Sequence, residues 1–347
     1  MVYKELTGTA LALIALAAAF WISVLPASSI QIFPTLGVLL ASLLGAALLK
    51  ANHGTFAAAA VLGWFGIMFA QPFSLSTREF NGLRRIANRG DEEAAALLAY
   101  YEAFSPYATY LMVAITLLMI GILFFGMARG RLLLFDNLLS ASDGLARFLN
   151  RIGIVSAVVL LSALIFAIMY DVIQRQYIGY NSGWTGTAWY RFFSATRVQE
   201  LEWHLHAMLF LMCLGYGYVR DAHVRIELVR DTLRPRSRVW IELLGAVLFM
   251  VPYCYVVMKY GIENAVRSFE IGESSAATTG LPNRFIIKAF LPFGFALIAL
   301  AGMSVALKCI VFLFGPPDLR RASSFYAYSH QNPAPAEDEP PADAKQA

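Results

Sequence analysis

Charge is what this chain has least of. Only 14% of its 347 residues are Asp, Glu, Lys or Arg, while 59% are hydrophobic and the mean hydropathy is +0.60. A soluble domain keeps about a quarter of its residues charged. A chain this poor in charge cannot face water all round, so the composition marks an integral membrane protein. Cysteine and histidine are scarce too, at three and five residues. Cys213, Cys254 and Cys309 all lie inside apolar runs, which leaves neither a disulfide framework nor a metal-ligand spacing. They read as thiols packing as small hydrophobes. A Gly-rich phosphate loop, an HExxH helix and a nucleophile–base constellation are also missing, so no cofactor is expected. The net charge of +4 is small and unevenly placed, which speaks of membrane topology and not of nucleic acid.

What the chain does have is long apolar runs. A hydrocarbon core of ~30 Å needs about 20 apolar residues in a helix. Eight runs qualify: 6–25, 30–49, 55–73, 106–127, 152–174, 201–219, 239–260 and 288–312. All are expected to be helical, because a lone strand leaves its backbone polar groups unsatisfied in lipid. Lys4 and the small residues after Leu25 also suit a signal peptide, but Glu5 and the second run close behind favour a retained first span. The fold class is therefore all-α, with about eight transmembrane helices.

Lysine and arginine orient those spans. With the N-terminus inside, Lys4, Lys50, Arg129, Arg131, Arg147, Arg151, Lys308, Arg320, Arg321 and Lys345 are cytoplasmic. So are the six arginines between Arg220 and Arg238, in the most basic loop of all. The expected topology is N-in and C-in.

Residues 74–105 read as an outer insertion of two short helices. Ser76 and Glu79 have capping-box spacing for the first, Gly90 is placed to end it, and Asp91-Glu92-Glu93 puts acid at the positive end of the second. Segment 129–150 alternates leucines with Arg, Asp and Ser, as a helix lying in the inner interface would. From Gly315 onward the chain turns to Pro, Ala and acid and is expected to be disordered. Gly121, Gly126, Gly215 and Gly217 are candidates for close helix packing.

The most informative stretch runs from Gln199 to Trp240. On a helix starting near Glu200, the pairs Glu200–His204 and Glu202–His206 are spaced i,i+4, which brings each acid within reach of its histidine. Trp203 is amphipathic and suits the interface level. His204 and His206 point to different faces, so one helix cannot offer both to a single haem iron. The chain leaves this run through Arg220, Asp221, His223, Arg225 and Glu227, where Asp221 can pair with Arg225. Two readings stand at each end: a solvated rim or a protein contact outside, and lipid-facing charge or a docking surface inside. The loop carrying Glu270, Glu273 and the small residues Ser274 to Gly280 is expected to be mobile, with partner contact second.

Several motifs then fall into one order. Tyr170-Asp171-Val172-Ile173-Gln174-Arg175 closes the fifth run, and Thr196-Arg197-Val198-Gln199-Glu200-Leu201-Glu202-Trp203-His204-Leu205 opens the sixth. Asp221-Ala222-His223-Val224-Arg225-Ile226-Glu227, the Pro235–Gly245 stretch, Gly272-Glu273-Ser274-Ser275, Leu281-Pro282 and Lys288-Ala289-Phe290-Leu291-Pro292 follow. In this order, residues from about 145 to 314 resemble the small membrane subunit (DctQ-like) of tripartite ATP-independent periplasmic (TRAP) transporters, with the mannitol and chloroaromatic branch as the nearest flavour.

That resemblance implies a four-helix unit in the bacterial inner membrane, both termini cytoplasmic, with no catalysis of its own. It implies a periplasmic solute-binding protein that captures a carboxylate-bearing ligand and a large membrane subunit that carries the sodium-coupled transport site. Under it, Glu200, Glu202, Trp203, His204, Glu270 and Glu273 are candidate contacts with subunit or receptor. Arg220, Asp221, His223, Arg225 and Glu227 are candidate cytoplasmic anchors. The chain then divides into an N-terminal extension of four spans (1–130), the small permease unit (131–314) and a tail (315–347). Glu227 stands where many relatives have Asp, and the extension is additional to the family unit. A self-sufficient carrier or channel, and a membrane redox subunit, are the alternatives.

Overall fold

The computed structural model describes residues 53–75, 77–129, 134–178, 182–222 and 233–323. Among these, all regular structure is helical: α1 His53–Ala70, α2 Thr77–Ala87, α3 Glu92–Arg129, α4 Leu134–Ile173, the short α5 Ser182–Thr185 and α6 Ala188–Phe192, α7 Ala195–Val219, α8 Pro235–Gly245, α9 Val251–Glu270, α10 Phe285–Phe314 and α11 Pro317–Ala322. α4 runs on into a π-helical turn at Gln174–Ile178, and a second π turn at Ala246–Met250 joins α8 to α9.

α10 is the central helix. Its sequence is apolar on every side, as suits a helix surrounded by others, and Ala299, Ala301, Val305, Ala306, Ile310 and Val311 are wholly buried. α1, α4, α7, α8 and α9 pack around it. Small residues set the approach distances. A Cβ on Gly215 would stand 2.8 Å from the Leu297 carbonyl oxygen, and one on Gly294 would stand 2.8 Å from the Leu211 Cβ, so α7 and α10 meet backbone to backbone. Gly153 likewise admits the Tyr216 ring between α4 and α7. Gly217 faces open space and is not a packing position. The surroundings of Gly121 and Gly126 lie outside the described residues.

The region before α4 shares this core. Ala58, Phe65 and Met68 of α1 join Val251 and Cys254 of α9 and Val305, Ile310 and Val311 of α10 in one cluster. The Trp64 indole donates to the Val247 carbonyl at 2.9 Å, inside the π turn of the α8–α9 unit. That turn replaces the usual i→i−4 ladder, and the indole supplies a partner there. Farther out, the Tyr101 hydroxyl donates to Glu263 at 2.7 Å.

Several expectations change in three dimensions. The 129–150 segment is not a separate interfacial helix, since its described part from Leu134 onward continues unbroken into the fifth run. At 1.5 Å per residue, the 40-residue α4 is about 60 Å long, twice the hydrocarbon thickness. Its polar side chains find partners on α10 instead of the interface. The Ser142 hydroxyl bonds the Ser304 carbonyl at 2.8 Å, Ser304 returns the bond to the Ser142 carbonyl at 3.0 Å, and Lys308 pairs with Asp143 at 2.9 Å.

In the 74–105 insertion, α2 appears as expected and Gly90 ends it at φ +90°. Asp91 then accepts from the Ala94 amide at 2.9 Å. Ser76, half of the capping box, lies outside the described residues. The second insertion helix is not short, because it continues through Pro106 as the 38-residue α3. The tail is not disordered at its start. α11 is a helical turn after Gly315, and Ser323 is buried with its hydroxyl on the Leu319 carbonyl at 2.8 Å.

Three helical stretches among the described residues are long and apolar enough to cross a membrane: Phe135–Gln176, Pro235–Glu270 and Phe285–Phe314. α7 has the length, but its polar opening, from Glu202 to His206, leaves it less apolar than these. The runs 6–25 and 30–49 lie outside the described residues.

Candidate functional site

The first turns of α7 hold the chemistry singled out in the sequence, at the end of the bundle where α4 finishes and α9 hands over to α10. Ser194 and Ala195 start the helix, and its second turn presents Glu200 and Glu202 on different sides. Each carboxylate meets another part of the chain.

Glu200 holds the loop between α9 and α10. Its Oε2 accepts the Leu281 amide at 2.6 Å, and its Oε1 accepts the Ser275 hydroxyl. The loop folds to suit. Ser275 N donates to the Leu281 carbonyl at 3.1 Å, and Gly280 N donates to Ala277 at 3.0 Å. Arg197, one turn before Glu200, donates from Nε to the Thr279 carbonyl at 3.1 Å. Gly280 is required by closeness: a Cβ there would fall 2.3 Å from the Ser275 Cβ and 2.8 Å from Glu200 Oε1. The loop enters through Gly272 at φ +57° and leaves through Asn283 at φ +60°, left-handed positions that Gly and Asn adopt readily. The segment read as mobile is thus a closed latch.

Glu273 secures the far side of the latch. Its carboxylate pairs with Lys288, in the first turn of α10, and lies 4.0 Å from Arg284. The Lys288 ammonium holds the Glu273 carboxyl below its ordinary range. Burial pushes Glu200 upward, but the bonds from Leu281 and Ser275 and the positive charge of Arg284 outweigh it, so its carboxyl too sits below the usual value. Glu270 is exposed at the end of α9 and stays outside the latch.

The proposed acid–histidine pairs do not form through their side chains. His204 is buried, and its Nδ1 bonds the main-chain carbonyl of Glu200, which leaves the carboxylate free for the loop. Trp203 stacks on the imidazole at 4.0 Å between ring centres, with 46% of its surface exposed. Glu202 faces Asp171 and Arg175 at the end of α4 and not His206. Asp171 and Arg175 form a two-point pair, 2.9 and 3.1 Å. Beside them Gln174, 1% exposed, donates to the Phe193 carbonyl at 2.8 Å and so ties α4 to the α6–α7 turn. His206 is exposed and lines a shallow apolar groove of about 620 Å³ along α7, with Phe210, Cys213, Leu214 and Ile298.

At the other end of α7, Arg220 donates to Asn150 of α4 at 3.0 Å. Asp221 takes φ +57° and ends the helix, with its amide on the Tyr218 carbonyl and the Ala222 amide on Gly217. His223, Arg225 and Glu227 lie outside the described residues, as does the Asp221–Arg225 pair. Among the described residues no group of three His, Cys, Asp or Glu is placed to hold a metal.

The two motif stretches, 170–175 and 196–205, therefore meet at one rim, with Glu202 facing the first and Glu200 gripping 275–281. Residues 164–311 match the DctQ component of tripartite ATP-independent periplasmic transporters. The DctQ match begins inside α4, takes in the rim, the groove and the latch, and ends inside α10. The family is a transporter component and not an enzyme. The extension, α1 to α3, lies wholly before the match. No curated protein matches the chain, and no solved structure does.

The latch partners Ser275, Gly280 and Leu281 were not singled out as such in the sequence. Ser275 lies 75 residues from Glu200, and nothing local links them. The run of small residues and the motifs Gly272-Glu273-Ser274-Ser275 and Leu281-Pro282 were their trace in the sequence.

Proposed function

We propose that this chain is the small permease subunit of a TRAP transporter for an organic acid. The observation that carries the reading is the DctQ match over 164–311, coincident with the helices and latch of one packed unit. On this reading the chain lies in the inner membrane with eight spans, N-in and C-in, and braces a large membrane subunit. The rim of Glu200, Trp203, the latch and Glu273 faces the periplasm and receives the solute-binding protein. Arg220 and the arginine turn anchor the cytoplasmic surface. The groove along α7 seats a helix of the large subunit, because an exposed His206 at membrane depth is better satisfied by protein than by lipid. Sodium coupling and the carboxylate ligand belong to the other two subunits.

The division at 130/131 then separates an added extension from the family unit in sequence, while the shared core binds the two in space. Purification of the tagged chain in mild detergent is expected to bring down a large multi-span permease. Vesicles holding this chain alone are expected to pass no organic acid, and the purified chain to be colourless. Recovery of the chain by itself, with flux in vesicles or a haem spectrum, would favour a carrier or redox subunit and overturn the reading.

A further inference from the structure

Outside the DctQ match, the extension carries a second surface with a chemistry of its own. α2 and the start of α3 form a helical hairpin closed by the turn at Asn88–Asp91. Its foot is marked by the Phe73 ring, 6.2 Å from Phe104 of α3. From there α3 carries a run of aromatic rings that begins half-buried at Tyr100 and becomes exposed from Phe104 on. Tyr100, Phe104, Tyr107 and Tyr110 stack in sequence at 5.0, 5.8 and 6.4 Å, and Tyr107 and Tyr110 are 60% and 67% exposed. Farther along α3, Val113 and Leu117 are exposed and aliphatic. An exposed helix face that passes from aromatic to aliphatic marks the level where headgroups give way to acyl chains.

The hairpin rises from that level with its charges sorted. Phe80, Leu83 and Ala87 turn toward α3, while Arg78, Arg84, Arg85 and Arg89 are exposed beside Ile86. The nearby acids are exposed as well, some with partners of their own. Glu79 lies within electrostatic reach of Tyr255 on α9, Asp91 caps α3, and Glu93 pairs with Arg267 at 3.8 Å. Glu92 and Glu102 remain exposed on α3. At 1.5 Å per residue, Arg84 and Arg85 lie about 10–12 Å along α2 from its start, and Arg89 lies beyond its end at Ala87, in the turn. The first three arginines are thus within side-chain reach plus one Debye length, about 8 Å, of lipid phosphates, and Arg89 is near or past that limit.

We propose that the α2–α3 hairpin is a recognition surface for anionic phospholipid, with Arg78, Arg84 and Arg85 on the phosphates and the Phe104–Tyr110 ladder seating the lipid beneath. The inference does not depend on the transporter reading. It is tested by reconstituting the full chain in vesicles of phosphatidylglycerol and phosphatidylcholine in equal parts, extracting it with its bound lipid, and weighing the two lipids by mass spectrometry. Wild type is expected to retain phosphatidylglycerol in excess. Arg78→Gln, Arg84→Gln and Arg85→Gln should each lower that excess by up to about fivefold, the effect of one basic residue near a membrane surface. Arg89→Gln should change it little, and Lys at the three lower positions should preserve it. Equal retention of both lipids by wild type would overturn the proposal. So would an Arg89→Gln loss as large as the others, or a loss in the Lys variants despite their kept charge.

Discussion

The two ends of the bundle are held by opposite means. Toward the α11 end, α10 is sealed mostly by wholly buried side chains, and Ser142 and Ser304 are buried there and bonded to each other, with the Lys308–Asp143 pair at the edge. At the rim end, α7 is joined to its neighbours through carboxylates. Glu200 holds a loop by two hydrogen bonds, Glu273 holds the loop's other side, and Glu202 stands by an Asp–Arg pair. Packed interiors deform little, whereas a few hydrogen bonds at a half-exposed surface open at modest cost.

This contrast can be broken from its strong side. Ile310→Ala removes a wholly buried side chain from the shared core and should cost about 2–5 kcal/mol in the midpoint of thermal unfolding in detergent. A loss confined to the rim would contradict the division. Ser142→Ala should cost about 1 kcal/mol, the net worth of one hydrogen bond to the Ser304 carbonyl, and Ser304→Ala about as much again, because each hydroxyl bonds the other residue's main-chain carbonyl, which alanine keeps. Gly280→Ala tests the latch: hydrogen exchange at the Leu281 amide should quicken about tenfold, or 1.4 kcal/mol, with global unfolding unmoved.

Acid separates the ends more gently. Glu200 and Glu273 both titrate lower in the folded chain than their ordinary value of 4.5. Their contribution is therefore complete above that value and is lost as pH falls through the lower folded values. Leu281 protection should weaken on acidification from about pH 5, while protection in α10 stays flat. The smallest effect is expected at Arg267→Gln, whose partner Glu93 is half exposed, at under about 0.5 kcal/mol.

Much of the helical fold was legible, because the length of an apolar run and its 3.6-residue period are local properties. Gly90 and Asp91 could be read for the same reason, since each acts within its own turn. The i,i+4 acid–histidine pairs were legible as geometry and wrong as partners. Spacing says which side chains can meet, and His204 found a main-chain carbonyl that served its ring nitrogen. The break expected near residue 150 failed for a related reason. Polarity in one helix looks like an interface until another helix is seen to supply partners, as α10 does for Ser142 and Asp143.

The sequence by itself determined that this protein is helical and membrane-embedded, and it located the motifs of the DctQ-matched region, because solvent preference and helix period are written into each short stretch. Only the tertiary structure decided that the loop at 271–284 is a latch on Glu200, that α1 completes the core of α9 and α10, and that the two acids of α7 face different neighbours. Those facts join residues many tens of positions apart. They depend on how whole helices pack, which no local spacing contains.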